Sequence, residues 1–305
     1  MVELHPSGFL SLVIALTSAP LLLSVINRTK AWFAGRQGPP WLQPYSDLYK
    51  MLGKGAVYSH TTTWMIVAGP VVGLACTLCC LTLLPWGGVP AVFSFSGDVI
   101  LLAYLLGLMR FFTVLAALDT GSSFEGMGAS REVTFSALAE PTLFIGFAIL
   151  AVQTGSLSLT GMAVKVDVDL WLQAGSVIAL VACAWFAVFL AENARIPVDD
   201  PNTHLELTMI HEVMVLDHGG VDLAFIMYAA ALKMWVLGTL LITLLIPRVT
   251  PWYLHLISAF CGMLLLALLT GVIESLMARL RMNRVPQMLV GAMVLAALAL
   301  ILLVR

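Results

Sequence analysis

The segment ENARIPVDDPNTHLELTMIHEV (residues 192–213) separates two long apolar runs and decides how this chain is organised. LWLQAGSVIALVACAWFAVFLA (170–191) precedes it and LAFIMYAAALKMWVLGTLLITLLIP (223–247) follows it. Each run is long enough to cross a bilayer as a helix, which takes about 20 mostly apolar residues. The segment between them therefore predicts a charged connection at one end of two membrane spans.

The overall composition supports a membrane protein. The 305 residues are 60% hydrophobic and only 10% charged, and the mean hydropathy is +0.99. A soluble domain carries about 25% charged residues, so lipid must replace water around most of this surface. The net charge of −2 gives no indication of a nucleic-acid partner.

Eight apolar segments have the length of a membrane span. They lie at roughly residues 8–27, 64–86, 97–118, 134–154, 170–191, 221–246, 253–273 and 285–304. Backbone amide groups in hydrocarbon must find hydrogen-bond partners within their own segment, so these spans are expected to be helices. We predict an all-α polytopic membrane protein forming a single integral membrane domain over residues 1–305. Glu3 and the lack of early Lys or Arg favour a retained first span over a cleaved signal peptide.

The distribution of Lys and Arg predicts the orientation in the cell inner membrane. The first, third, fifth and seventh loops are expected to be cytoplasmic, with both termini on the other side. The basic residues of these four loops are Arg28, Lys30, Arg36, Lys50, Lys54, Arg131, Arg195, Arg279, Arg281 and Arg284. Three of these loops, 28–63, 119–133 and 192–220, are long and polar.

The first loop contains WLQPYSDLYKMLGKG (41–55), in which aromatic and leucine residues recur at helical spacing. This pattern predicts a short amphipathic helix that lies at the membrane interface after the first span. A solvated surface loop is the alternative.

Charge well inside a predicted span usually marks a pathway or a partner. It occurs at Glu140, Lys233 and Arg110, while Asp98 and Glu274 lie near span ends. Glu140 precedes Pro141 in the fourth span and is expected to be a buried functional carboxyl. Lys233 lies near the middle of the sixth span and Arg110 deep in the third. A structural ion pair or snorkelling to an interface is the alternative for both cations.

Metal binding is not expected in this chain. Among its five cysteines, Cys76 and Cys79 form a C-x-x-C pattern in an apolar segment without a second pair, which favours packing residues. His204 and His211 are seven residues apart and would share a face of a helix that restarts at Asn202 or Thr203. Without a third ligand at close spacing, a hydrogen-bonded polar network is expected there rather than a metal site.

Three segments, RQGPPWLQPYSDLYKMLGK (36–54), DTGSSFEGMGASREVTFSALAEP (119–141) and ENARIPVDD (192–200), carry a family resemblance. Together with eight spans they resemble the quinone-site membrane subunit of respiratory complex I and its counterparts in membrane-bound nickel–iron hydrogenases. Gly55 stands where complex I subunits typically have an acid. In this departure and in the sequence of residues 201–220, the chain resembles hydrogenase-4 component C and formate hydrogenlyase subunit 4 more than the complex I subunits.

The resemblance implies two groups of site residues and no catalytic residue. The implied proton path comprises Glu140, Glu192, Glu206 and Glu212, to which the residues themselves add Lys233. The implied docking surface or quinone-like chamber comprises Arg36, Gln43, Asp47, Lys50, Asp119, Arg131, Glu132, Arg195 and Asp199, with Asp200, His204 and His211 beside them.

The resemblance also implies a function without enzymatic chemistry in this chain. We expect an anchoring and proton-coupling subunit of a hydrogenase-like complex, which docks an iron–sulfur small subunit and a large hydrogenase-like subunit and adjoins antiporter-like membrane subunits. Iron–sulfur clusters, and a nickel–iron centre, would then belong to those partners. The alternative is the quinone-chamber subunit of an NADH:quinone oxidoreductase. A stand-alone transporter is less consistent with the sequence, since no internal repeat is visible.

Overall fold

The computed structural model describes residues 3–199 and 209–304 of the chain, and these are largely helical. Their α-helices are α1 (Gly8–Phe33), α2 (Gln43–Leu52), α3 (Met65–Leu83), α4 (Asp98–Asp119), α5 (Ser123–Thr154), α6 (Leu159–Lys165), α7 (Val168–Glu192), α8 (Gly220–Leu245), α9 (Trp252–Leu276) and α10 (Val285–Val304). Strands β1 (Glu3–Leu4) and β2 (Phe93–Ser94) pair antiparallel, with Glu3 opposite Ser94. The all-α prediction is confirmed.

Eight helices among the described residues are long and apolar enough to cross a membrane, which confirms the predicted number. Helices α2 and α6, with 10 and 7 residues, are not among them. The predicted amphipathic helix is α2, which packs against α1 and α8. The carbonyl of Trp41, just before α2, accepts a 2.6 Å hydrogen bond from the Ser24 hydroxyl of α1.

The prediction of a polar loop over residues 119–133 was wrong, because α5 already begins at Ser123. Its first turns bury one helical face, formed by Glu125, Gly128, Ala129 and Glu132. The spacing of three, four and seven residues is that of an amphipathic helix. Small and charged residues occupy the buried face, so hydropathy alone does not reveal it.

The prediction that a helix runs from Asn202 or Thr203 to Val213 lies partly outside the described residues. Its described end is not α-helical, because Met209 and Ile210 are irregular and a 3₁₀ turn then follows at Glu212–Val215. Ile210 and Val213 are fully buried against the first turns of α5. This packing, rather than a helical repeat, positions the segment.

Helices α7 and α8 form the centre of the bundle, whereas α4 and α10 have the smallest buried fractions among the spans. Helix α8 contacts α1, α2, α3, α7 and α9, and α7 also packs against α5 and α10. Close approach of α5 to α7 requires a glycine: a Cβ added at Gly146 would lie 2.2 Å from Trp185 Nε1.

The odd-numbered connections meet at one end of the bundle. Thr63 N in the first donates to Asp119 Oδ2 at 2.7 Å, and Leu280 N in the seventh donates to the Pro197 carbonyl of the fifth at 2.9 Å. Connections at the other end also touch: Gly97 N donates to the Leu157 carbonyl at 3.1 Å. The predicted orientation requires the odd-numbered connections to lie together at one end of the bundle, and these contacts agree with that. That this end faces the cytoplasm stays a prediction.

Candidate functional site

Arg110, near the middle of α4, is surrounded by carboxylates from two other helices. Its guanidinium contacts Glu140 of α5, Glu192 Oε1 of α7 at 2.6 Å and Glu132 Oε1 of α5 at 3.4 Å. The Arg110 side chain is only 11% exposed. An isolated cation buried at this position in a span would be strongly unfavourable. The ion pairs with the three acids offset that cost. Arg110 thus joins α4, α5 and α7 by charge.

Glu192 at the end of α7 is shared by two cations. Lys233 Nζ, from the middle of α8, lies 2.8 Å from Glu192 Oε2, while Arg110 contacts the other oxygen. The Glu192 side chain is 5% exposed. The ion-pair alternative considered for both cations is therefore what the structure shows.

A second branch runs from Glu132 towards the connections at the bundle end. His211 Nε2 lies 3.1 Å from Glu132 Oε2, and His211 Nδ1 lies 3.7 Å from Asp199 Oδ2. Asp199 also accepts hydrogen bonds from the backbone N–H groups of Ile210 and His211. Arg279, in the seventh connection, contacts Asp199 Oδ1 at 2.8 Å.

The surroundings shift the pKa of both groups in this branch. Burial alone would lower the pKa of His211, but the charge of Glu132 and the hydrogen bond with Asp199 raise it above its ordinary value. Burial alone would raise the pKa of Asp199, but hydrogen bonds from His211 and the charges of His211 and Arg279 lower it. The pair therefore favours a protonated imidazole beside an ionised carboxylate.

These contacts form one continuous chain of charge, which we call the charged network. Its members are Arg279, Asp199, His211, Glu132, Arg110, Glu140, Glu192 and Lys233. Four carboxylates face three permanent cations among these described residues. The network therefore has one net negative charge while His211 is neutral, and none once His211 binds a proton.

A separate buried triad lies on α1, α9 and the start of the fifth connection. Glu274 of α9 is fully buried and contacts Lys30 Nζ of α1 at 2.9 Å and Arg195 Nη1 at 3.3 Å. Arg195 also borders the cavity described below. The triad ties the end of α7 to α1 and α9, so it stabilises the position of the connection that carries Asp199.

A cavity of about 430 Å³ lies beside the charged network, within the usual size range of ligand pockets. Polar residues border it on the side of the network: Arg110, Glu132, Glu192, Lys233, His211, Glu212, His218 and Arg195. Elsewhere its wall is largely apolar and comes mainly from α3 and α8, including Pro70, Ile226 and Met227. His218 is bound through Nε2 to the Ile66 carbonyl at 3.1 Å, and burial lowers its pKa.

The structure separates the predicted first-loop residues from the charged network. Gln43 donates to Asp47 Oδ1 at 2.8 Å within α2, and Arg36 and Lys50 are exposed. Within residues 3–199 and 209–304, no ion pair joins these four residues to the network. Arg131 Nη1 donates to the Met209 carbonyl at 2.9 Å, and Asp119 accepts from Thr63. Arg131 thus ties α5 to the described end of the fifth connection, and Asp119 ties the end of α4 to the first connection.

Some predictions were wrong or fall outside the structure. Glu140 was expected to be buried, but its side chain is 45% exposed in the chain alone because it lies on the outer side of α5. Asp200, His204 and Glu206 lie outside the described residues. Glu212 borders the cavity from the 3₁₀ turn rather than from an α-helix.

Four charged residues were not assigned to the site from the sequence. Arg110 and Glu274 stood out as ionisable groups in or near spans, and that signal was sufficient to find them. Lys30 and Arg279 contributed only to the orientation. Their pairing with Glu274 and Asp199 depends on which loops meet, which no local pattern in the sequence reveals.

Together, the eight spans, the charged network and the adjoining cavity define a polytopic membrane protein with a buried chain of ion pairs beside a cavity. The family model described as NADH dehydrogenase matches residues 7–305, and the chain belongs to this complex I subunit 1-like family. The family prediction is confirmed.

Individual relatives place the chain among subunits of multi-subunit membrane complexes. It is 31% identical to hydrogenase-4 component C of Escherichia coli (strain K12), covering 88% of this chain and 85% of that protein. It is also 31% identical to formate hydrogenlyase subunit 4 of the same organism, covering 88% and 89%. A subunit of the NADH-quinone oxidoreductase of Anaplasma phagocytophilum (strain HZ) is 27% identical, covering 68% and 66%.

The fold is also present in a solved structure. A chain of the membrane-bound sulfane sulfur reductase, described as an archaeal respiratory membrane complex, superposes with a TM-score of 0.84. It shares 19% identity, covering 97% of this chain and 98% of the other. The protein is thus a membrane subunit of the complex I-like or membrane-bound hydrogenase type of respiratory complex.

Proposed function

We propose that this chain anchors the peripheral redox arm of a hydrogenase-like complex and begins its proton path. The charged network is the observation that carries the proposal. It connects the charged connections at one end of the bundle, at Arg279 and Asp199, with Lys233 in the middle of α8 and Glu140 on the outside of α5. A chain of titratable groups with this reach can pass a change of charge from a docked partner into the membrane.

The charge count suggests how the coupling works. With His211 protonated, the described members of the network balance, and the raised pKa of His211 favours this state. A unit negative charge created about 6 Å from His211 would stabilise its proton by about 3 kcal/mol at an effective dielectric constant of 20, equivalent to a change of about 2 in its pKa. Loss of that charge would release the proton towards Glu132, its 3.1 Å neighbour.

Glu140 indicates where the proton path leaves this chain. Its carboxylate is 45% exposed, and its neighbours Phe144 and Phe111 are 45% and 57% exposed. A carboxylate facing hydrocarbon is unfavourable, so a polar membrane partner is expected to cover this face. An antiporter-like subunit that receives protons from Glu140 meets this requirement.

Docking of the peripheral arm is assigned to the end where the odd-numbered connections meet. This end carries the exposed residues Arg36 and Lys50 of the first connection, as well as Asp119, Arg131 and Asp199. We propose that an iron–sulfur small subunit and a large hydrogenase-like subunit bind there and hold the iron–sulfur and nickel–iron centres. The electrons would then pass through those partners, and this chain would respond to their charge.

A quinone chamber is the second candidate function, and the cavity is the observation that favours it. Its apolar wall, with Ile226 and Met227, would suit the ring and tail of a quinone, while His211 and Glu212 lie on the polar side. A bound quinone would supply two-electron, two-proton chemistry. The higher identity and coverage of the two hydrogenase-complex relatives support the first function over this one.

Glutamine substitutions in the network test the coupling. The intact complex is purified through a tag on this chain, and its partner subunits are identified before rates are measured. In native membrane vesicles, Glu192→Gln and Glu140→Gln should abolish proton translocation while the complex still assembles. Asp217→Asn is the matched control, since this exposed acid lies outside the network.

Wild-type proton translocation in both glutamine variants would contradict the coupling role. Nickel analysis and identification of co-purifying chains distinguish the two functions. Nickel together with a hydrogenase-like large subunit supports the first, whereas labelling of the cavity by a photoreactive quinone in a nickel-free complex supports the second.

A further inference from the structure

A second cavity, of about 230 Å³, lies at the opposite end of the bundle from the charged network. It is enclosed by the turn 85–90, helix α6, the end of α8 and the start of α9. Its polar lining comes from Arg248, His255, Thr160 and Thr243, beside Gly87 and Gly88. None of these residues belongs to the proposed proton path or docking surface, so the cavity requires a separate explanation.

His255 lines this cavity and carries a ring nitrogen that no described residue bonds. The residue is 8% exposed, and its Nδ1 atom has no hydrogen-bond partner among residues 3–199 and 209–304. Buried polar atoms in folded proteins are nearly always hydrogen-bonded. The imidazole therefore has hydrogen-bonding capacity that the described residues do not use.

The turn beside His255 approaches the start of α9 closely. Trp86 and Val89 exchange two 3.0 Å backbone hydrogen bonds, with Gly87 and Gly88 at φ of 60° and 80° between them. Both central residues need positive φ, which favours glycine. A Cβ on Gly88 would lie 3.0 Å from the His255 ring. Gly88 therefore allows the turn to lie against the imidazole, and Gly87 allows it to approach Leu256.

Arg248 supplies a guanidinium at the mouth of the cavity. Its side chain is exposed and forms no ion pair with the described residues. The neighbouring acid, Asp167, is engaged in capping α7, where it accepts from Leu170 N at 2.8 Å. Arginine binds phosphate groups through paired, charge-assisted hydrogen bonds. Arg248, His255 and the two threonine hydroxyls together suit an anion with several oxygen acceptors.

The surroundings of the cavity place its mouth at lipid headgroup depth. Trp252 and Tyr253, in the first turn of α9, are 57% and 51% exposed. Exposed Trp and Tyr at a helix end are typical of the membrane interface. Leu254 and Ile257 continue an exposed apolar surface along α9. An acyl chain could follow this surface while its phosphate enters the cavity.

We propose that this cavity binds the phosphate-bearing headgroup of an anionic phospholipid in the leaflet opposite the docking surface. Arg248 pairs with the phosphate, and the buried imidazole of His255 bonds to a headgroup oxygen or hydroxyl. The bound lipid would fix the turn 85–90 against α9 and α6, and so stabilise this end of the bundle.

The test measures stabilisation of the delipidated complex by three added compounds: phosphatidylglycerol, a phosphate-free galactolipid and inorganic phosphate. Phosphatidylglycerol should raise the thermal midpoint of the wild type more than the galactolipid at equal concentration. In Arg248→Gln, the concentration of phosphatidylglycerol needed for half the effect should rise at least about tenfold, since a charged hydrogen bond is lost. Arg284→Gln, an exposed cation at the other end of the bundle, is the matched control and should titrate like the wild type.

A second variant tests the location of the site. Val164 borders the cavity and is 49% exposed, so Val164→Trp should narrow it without disturbing the core and should weaken the effect of phosphatidylglycerol. The proposal is overturned if Arg248→Gln responds to phosphatidylglycerol like the wild type, or if the galactolipid stabilises equally. Equal protection by inorganic phosphate alone would show a free-anion site and overturn the lipid assignment.

Discussion

The two partners of the Glu192–Lys233 pair should differ in how far their removal destabilises the fold. Glu192 pairs with two cations, Lys233 at 2.8 Å and Arg110 at 2.6 Å. In contrast, Glu192 is the only acid that pairs with Lys233 among the described residues. Each ion pair has a Coulomb energy of about 6 kcal/mol at an effective dielectric constant of 20, before the cost of desolvation. Glu192→Gln removes both ion pairs and leaves Lys233 unpaired, while Lys233→Met removes one and leaves Glu192 paired with Arg110.

After desolvation is included, removal of one member of a buried pair costs about 3–5 kcal/mol. We expect Glu192→Gln to cost that much and Lys233→Met roughly half, because it breaks one ion pair instead of two. The double variant should cost less than the sum of the two, since it leaves no unpaired Lys233. Unfolding in sodium dodecyl sulfate, followed by the fluorescence of the eight tryptophans, gives the three free energies. Equal costs for the two single variants, or strict additivity in the double variant, would refute the shared-acid arrangement.

Two further predictions concern the segment 209–215, which borders the cavity. His211 has its pKa raised in the folded chain, so its contribution to stability is complete below about pH 6.5, its ordinary value, and is lost as the pH rises through the folded-state value. The stability advantage of the wild type over His211→Gln should therefore shrink as the pH rises above about 6.5. An advantage that grows with rising pH would contradict the ion pairs with Glu132 and Asp199. Gly128→Ala should lower the free energy of unfolding by about 1–3 kcal/mol through overpacking, because its Cβ would lie 2.3 Å from Val213 Cγ1. Gly126→Ala is the control, since the nearest atom to its Cβ belongs to Leu118, at 4.0 Å. Equal thermal midpoints for the two alanine variants would show that the segment does not pack on α5 in this way.

Much of the fold could be predicted from the sequence because lipid imposes a simple rule. Segments of span length had to be helical, and seven of the eight helices agree with the prediction within a few residues at most ends. The start of α5 was missed because its buried face carries Glu125 and Glu132. Hydropathy detects burial in lipid or in an apolar core, and it fails where a helix buries polar groups against a charged neighbour.

The candidate site was predictable as a set of residue types but not as a geometry. Glu192, His211 and Lys233 stood out because charge is rare in and near spans, and all three belong to the charged network. The pairing of Arg279 with Asp199 and of Lys30 with Glu274 brings together residues more than 70 positions apart. Such contacts depend on how the helices are arranged in the bundle, which the spacing of residues within one helix does not determine.

The charge balance of the network links its stability to its proposed function. A cluster with as many permanent cations as acids is stable in the membrane, but its balanced charge provides no electrostatic driving force to bind or release a proton. The described network is short of one permanent cation, and the group that completes it, His211, is a residue that titrates near neutral pH. Its side chain is 26% exposed and lies between Glu132 and Asp199. His211 thus lies between the end where the odd-numbered connections meet and the membrane interior, so a change of charge in the proposed docked partner would act on it most directly.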